Sequence, residues 1–195
     1  MESSGHRPAD LSPAFPGFSV DEIVLMLKDN RFGLRRTVER FGYLGIRECR
    51  SKYFNIYKSG YRLNGANSVV SNDGYRIHCY GGTSTLGANV ADNQTISAFL
   101  ELQLNKKVKV NVFNFGAGNH TSLHSSLRLL DHVLSGRIPK LAILLNGFID
   151  VSYSAGADGI LEFLDQVIEK SQDSNGRASK LENFVKLIPQ GNSKI

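Results

Sequence analysis

Three short stretches of small polar residues could do chemistry. The first reads Gly81-Gly82-Thr83-Ser84-Thr85-Leu86-Gly87. Its hydroxyls at Thr83, Ser84 and Thr85 are candidate nucleophiles, and glycines such as Gly82 let backbone amides face an anion or oxyanion. It has neither the lysine of a Walker loop nor the spacing of a dinucleotide fingerprint. The second reads Asn114-Phe115-Gly116-Ala117-Gly118-Asn119-His120-Thr121-Ser122, and the third Asn146-Gly147-Phe148-Ile149-Asp150. His120 is the candidate base. With His124 it sits four residues apart at the start of an expected helix, so the two share a face. A metal pair there would lack a third ligand, and no metal or other cofactor is expected. His78 falls mid-strand and reads as a core histidine. Asp150 serves as a helix cap or loop brace as readily as a catalytic group.

The elements around these stretches alternate. Strands are expected at 75–80, 109–115 and 141–145, the last being the most uniformly apolar and therefore expected at the centre. One helix is expected from Asp92, with Ile96, Phe99, Leu100 and Leu104 on one face. Another begins at Ser122, with Leu123, Leu127, Leu130 and Leu134 on one face. Further helical patterns run from 159 to 170 and, more weakly, from 180 to 187. Strand and helix in turn imply an α/β fold: a three-layer α/β/α sandwich around a parallel sheet. In such sheets the site lies at the carboxyl ends of the strands. All three polar stretches fall at those ends.

Residues 1–18 are expected as a disordered lead-in, 19–73 as a basic helical and irregular arm, and 74–190 as the α/β domain. A helix is expected over 19–40, capped by Ser19. The chain has 195 residues and a net charge of +5. The span from Arg31 to Arg62 holds nine Lys/Arg against Glu39 and Glu48, so all the excess charge lies there. Such a stripe could meet an acidic surface. No nucleic-acid motif accompanies it, so a solvated face is the favoured reading and nucleic acid is not. Two cysteines make no disulfide scaffold or zinc motif. The run from Leu141 to Leu145 is far short of the ~18 residues of a membrane span, and no signal peptide is visible. Cytoplasmic localisation is therefore expected.

The order and spacing of the three stretches resemble the SGNH (GDSL-type) hydrolase family, especially its bacterial branch with a Gly-Gly-Ser-Thr-Thr first block. The resemblance runs from Tyr61 to about Asp150 and includes Gly87-Ala-Asn-Val-Ala-Asp-Asn-Gln-Thr95 and Asn146-Gly147-Phe148. It implies a flavodoxin-like three-layer fold and hydrolysis of acyl or acetyl esters on carbohydrates or lipids. Carried over, the nucleophile falls on Thr83, with Ser84 next, as if the two had been exchanged. The oxyanion glycine falls on Asn119, with Gly116 and Gly118 nearby. The oxyanion-donating asparagine of the third block falls on Ile149, before Asp150. The final Asp-x-x-His block has no counterpart, and no histidine follows His132.

The departures have chemical consequences. A threonine nucleophile carries a methyl group that restricts χ1. One oxyanion donor is worth ~10²–10³ in turnover, and the isoleucine side chain donates nothing. A missing base leaves little beyond binding and the oxyanion hole. The resemblance therefore implies an impaired ester hydrolase or, alternatively, a non-catalytic module holding a glycan or acyl ligand. A flavodoxin-like sheet has five strands and three are legible, so the resemblance covers the front part of such a domain.

Overall fold

A computed structural model describes residues 12–65, 73–147 and 150. The chain divides into two units, residues 1–149 and 150–195, and the fold described is that of the first. The helical patterns at 159–170 and 180–187, and Ile149, lie outside the described residues.

Three parallel strands form the centre: β3 (Tyr75–Gly81), β4 (Val110–Asn114) and β5 (Leu141–Leu145), in the order β4-β3-β5. Ile77 pairs with Val112 on one side and Leu141 on the other. This is the order of the first three strands of a flavodoxin-like sheet. The first strand of the three takes the middle, and β5, expected there, is the edge among the described strands. Uniform apolarity reports a strand covered on both faces and carries no information on its rank in the sheet. Leu141, Leu144 and Leu145 are 40–45% exposed.

Side-chain alternation along the strands builds two interfaces. Ile77, Cys79, Val110 and Val112 face helix α3 (Ile96–Leu104) through Leu100 and Leu104. Tyr80, Phe115 and Phe113 face the other way, with Leu129 of helix α4 (Ser122–Leu134) packed against them. The result is helix, sheet, helix. Thr95 caps α3 by accepting from Ala98 N at 3.1 Å. Asp92, where that helix is expected to begin, opens a short 3-10 turn instead, and its carboxylate is buried.

Helix α4 presents its expected apolar stripe outward. Leu123, Leu130 and Leu134 are 66%, 45% and 57% exposed, whereas Ser125, Arg128, Asp131 and His132 are buried. The polar face can go inward because it finds partners. Arg128 donates to Phe115 O at 2.7 Å and Gly60 O at 2.8 Å, and His132 Nδ1 meets the Tyr80 hydroxyl at 2.8 Å. A helix pattern identifies two faces, and partners elsewhere in the chain decide which one is buried.

The N-terminal segment begins with α1 (Val20–Gly33), closed by a capping box between Ser19 and Glu22. The helix ends at Gly33, short of the expected 40. A Cβ at Gly33 would overlap the Phe54 ring, so the chain leaves the helix where it meets that side chain. Strands β1 (Arg36–Val38) and β2 (Leu44–Ile46) then pair antiparallel, and Gly42 turns between them at φ +79°. Ile46, Phe54 and Ile56 share a core cluster with Leu86 and Ala117, which ties this segment to the strand-end loops. Phe15 and Phe18, from the expected lead-in, pack against Met26 and Tyr53.

Eight of the nine cations in the basic stretch are exposed, as a solvated face requires, and Arg62 is the exception. Its guanidinium lies 2.8 Å from Asp92 Oδ1 and donates to the carbonyls of Leu86, Gly87, Tyr53 and Val90. Asp92 also accepts from Asn55 N at 3.1 Å and Asn55 Nδ2 at 2.6 Å. One buried pair therefore fixes the chain that follows the first polar loop. Among the described residues, no helix is long and apolar enough to cross a membrane.

Candidate active site

The end of β3 runs through Gly81 and Gly82 into the short helix α2 (Thr83–Leu86). Its three hydroxyls meet different environments. Thr85 is fully buried and donates to Leu145 O at 3.3 Å, bracing β3 against the end of β5. Ser84 is exposed. Thr83 is half-buried, and its Oγ1 accepts from the backbone N–H of Asn119 at 3.4 Å. The first and second loops therefore meet at Thr83 and Asn119. The free hydroxyl of Ser84 has no such neighbour among the bonds described.

The second loop continues the pairing of β4 with β3. Phe115 N donates to Cys79 O at 2.8 Å and Ala117 N to Gly81 O at 3.0 Å. Asn114 bridges the loops: its Nδ2 donates to Thr85 O at 2.8 Å, and its Oδ1 accepts from Gly116 N at 3.0 Å. Asn119 adopts φ +63°, a left-handed conformation that asparagine tolerates. Gly116 packs directly on the backbone of Thr85 and Leu86, where an added Cβ would overlap main-chain atoms. Gly116→Ala is therefore expected to destabilise the fold by about 1–3 kcal/mol, because backbone cannot swing aside as a side chain can. Urea unfolding measures this. A change within ~0.3 kcal/mol would contradict the packing.

His120 is placed differently from a general base. It is 2% exposed, and its Nε2 lies 2.6 Å from Leu44 O, so that nitrogen carries the proton and donates it. Its Nδ1 is buried without a partner. Burial, and then the charge of Arg128, push its pKa down to about 3. Such an imidazole is a poor proton acceptor at neutral pH, and here it ties the second loop to β2. Its ring stacks on His124 at 5.2 Å, while Thr121 N donates to His124 Nδ1. Among the described residues, no group of three His, Cys, Asp or Glu is gathered for a metal.

His78 is the core histidine its position suggests. Its Nδ1 lies 3.0 Å from the Tyr80 hydroxyl, which also meets His132. In the third loop, Asn146 Oδ1 accepts from Ser125 Oγ at 3.1 Å, anchoring the loop to α4. Gly147 follows at φ +123°. Ile149 is not among the described residues, and Asp150 belongs to the second unit.

Two features of this site were not legible in the sequence. Asn114 reads there as a strand end, yet it holds both loops. A cleft of about 40 Å³ lies between Leu34, Leu44, Ile46, Ala117 and Gly118. Gly118 also borders Thr83, since a Cβ built on it would stand 4.0 Å from Thr83 Oγ1. The signal for that cleft was split between segments some 70 residues apart.

No family model matches the chain, and no curated protein matches it. Among solved structures it is similar to AlinE4, described as a SGNH-hydrolase family esterase, at 20% identity and a TM-score of 0.39. Two single-site variants of that esterase match at the same identity with TM-scores of 0.39 and 0.38. The match covers 53% of this chain and 56% of AlinE4, so the chain spans about half the length of the structure it resembles.

Proposed function

We propose that this chain is an SGNH-type ester hydrolase of low turnover, acting on small acyl esters through Thr83. The observation that carries the reading is the approach of Asn119 N–H to Thr83 Oγ1 at 3.4 Å. It sets a hydroxyl beside a backbone donor, as a nucleophile and oxyanion hole require. Such bonds are often long before substrate binds.

The Thr83 oxygen would add to the ester carbonyl, and Asn119 N–H would stabilise the oxyanion that forms. Collapse breaks the bond to the alcohol and leaves an acyl-threonine. The hydroxyl proton leaves with the alcohol, carried by water, since no bond described joins His120 to Thr83 and burial holds the His120 pKa at about 3. A second water then releases the acid and restores Thr83. Without a positioned base, only the residual ~10³–10⁴-fold advantage of binding and oxyanion stabilisation is left. The cleft beside Gly118 has room for an acetyl-sized group rather than a long chain. The free thiols Cys49 and Cys79 support a reducing compartment such as the cytoplasm.

Hydrolysis of p-nitrophenyl acetate tests the reading. Thr83→Ala should reduce the rate to the solvent background. Thr83→Ser should raise it by about tenfold, because a primary hydroxyl removes the methyl crowding. Equal rates for wild type and Thr83→Ala would refute it.

The burial of His120, with no bond described between it and Thr83, also favours a second reading, a module that holds an acyl or glycan ligand without turning it over. Its signature would be a rise in Tm with acetylated sugar and no product release.

A further inference from the structure

A second cavity, of about 180 Å³, lies between the β1–β2 hairpin and α4. It is well separated in sequence from the loop that carries Thr83, and the ester reading gives it no role. Its cationic lining comes from four segments: Arg47 after β2, Lys58 in the following turn, Arg128 on α4 and Arg137 beyond it. Glu39 and Glu48 are the carboxylates of the lining, so the wall carries a formal excess of two positive charges.

Arg128 is the buried cation of this lining. It is 3% exposed, and its Nε is buried with no hydrogen-bond partner. Its other nitrogens donate to neutral carbonyls, those of Phe115 and Gly60, and the guanidinium lies over the Phe115 and Tyr43 rings at 5.1 Å and 5.9 Å. Among the described residues, no carboxylate lies within 4 Å of the charged groups of Arg128, Arg47 or Lys58. Asp131 is already shared between Tyr43 and Arg137, at 3.1 Å and 3.6 Å. A buried guanidinium without a counter-ion is costly, by several kcal/mol in the general case. Arg62, the other buried arginine among the described residues, has its carboxylate. Arg128 instead has a polar cavity and two more unpaired cations around it.

We propose that this cavity is a binding site for a phosphoryl oxyanion, free phosphate or the phosphate of a small metabolite. The ligand supplies the directly paired negative charge that Arg128 lacks, Glu39 of the lining acting on it only from beyond 4 Å, and Arg47 and Lys58 close on it from the exposed side. Guanidinium groups suit phosphate because their paired N–H donors match two of its oxygens. The volume accommodates a group of several heavy atoms rather than one water.

The test uses the whole chain and sodium phosphate, against sodium chloride and sodium acetate at equal ionic strength. Phosphate at 10 mM should raise Tm, with neither control doing so. In the double variant Arg47→Ala, Lys58→Ala, both exposed positions, the apparent phosphate affinity should fall at least tenfold. Glu48→Gln removes an opposing charge and should tighten phosphate severalfold. A phosphate shift matched by acetate or chloride would overturn the proposal. So would equal phosphate affinity in wild type and the double variant, or no shift at all.

Discussion

Asp92→Ala is expected to destabilise this protein by about 3–5 kcal/mol, the range for stranding one partner of a buried ion pair. Arg62 and Asp92 are 0% and 5% exposed at their side chains. Burial pulls the Arg62 pKa down and pushes the Asp92 pKa up, each against the attraction of the other. Removal of Asp92 leaves a desolvated guanidinium facing four carbonyls, and Asn55 loses its acceptor. The segment from Leu86 to Val90 is hung on that guanidinium, so the loop bearing Thr83 should loosen with it. Urea unfolding gives the free energy. Hydrogen exchange over residues 83–91 reports the loosening. The double variant Arg62→Met, Asp92→Leu should lose less than either single change, because it strands no charge. A single variant within ~0.5 kcal/mol of wild type would show that the pair does not anchor the loop.

Acid should unfold the protein earlier than its carboxylates alone would. Three buried histidines are held neutral, each chiefly by burial. His78 is pushed down to about 4, helped by Arg76 and Arg137, and His120 to about 3, helped by Arg128. His132 is pushed to about 2, helped by Arg137 and Arg128. In the unfolded chain all three titrate near 6.5. Between those limits the unfolded state binds more protons, so stability falls as pH falls. The contribution is complete above about pH 6.5 and is lost progressively below it. Each histidine contributes on the order of 1 kcal/mol per pH unit through that window. His78 and His132 share the one Tyr80 hydroxyl, which has a single proton to donate. Protonation of both rings would break that chain. His120→Gln keeps a donor for Leu44 O and removes one titration, so its stability–pH profile between 6.5 and 4.5 should flatten by about a third. An unchanged profile would mean His120 is not held neutral.

The sheet was legible in the sequence because its signal is local. Tyr75 to Tyr80, Val110 to Phe115 and Leu141 to Leu145 each stand between turn residues, and alternation with helices fixes the parallel class. The rank of the strands was not legible, because β5 looks central by composition alone. Nor was the buried face of α4. Leucine spacing marks a stripe, but the partners that take Arg128 and His132 inward lie at Gly60, Phe115 and Tyr80. Arg62 reads as one more cation in a basic run until Asp92 is placed beside it. At the candidate site, the meeting of the first two loops followed from topology, whereas the bond from Asn119 N–H to Thr83 Oγ1 was not legible in the sequence. His120 illustrates the limit from the other side. Its position near the loops suggests a base, and neither its burial nor its bond to a carbonyl in β2 could be read from the sequence.

If the Thr83 hydroxyl is the acyl acceptor, an electrophilic phosphonate should capture it covalently. The chain is incubated with a fluorophosphonate probe, digested, and its peptides sequenced by mass spectrometry. One phosphonyl adduct should form slowly on Thr83 and be absent from Thr83→Ala. An adduct on Ser84 alone, undiminished labelling of Thr83→Ala, or no adduct after prolonged incubation would contradict it.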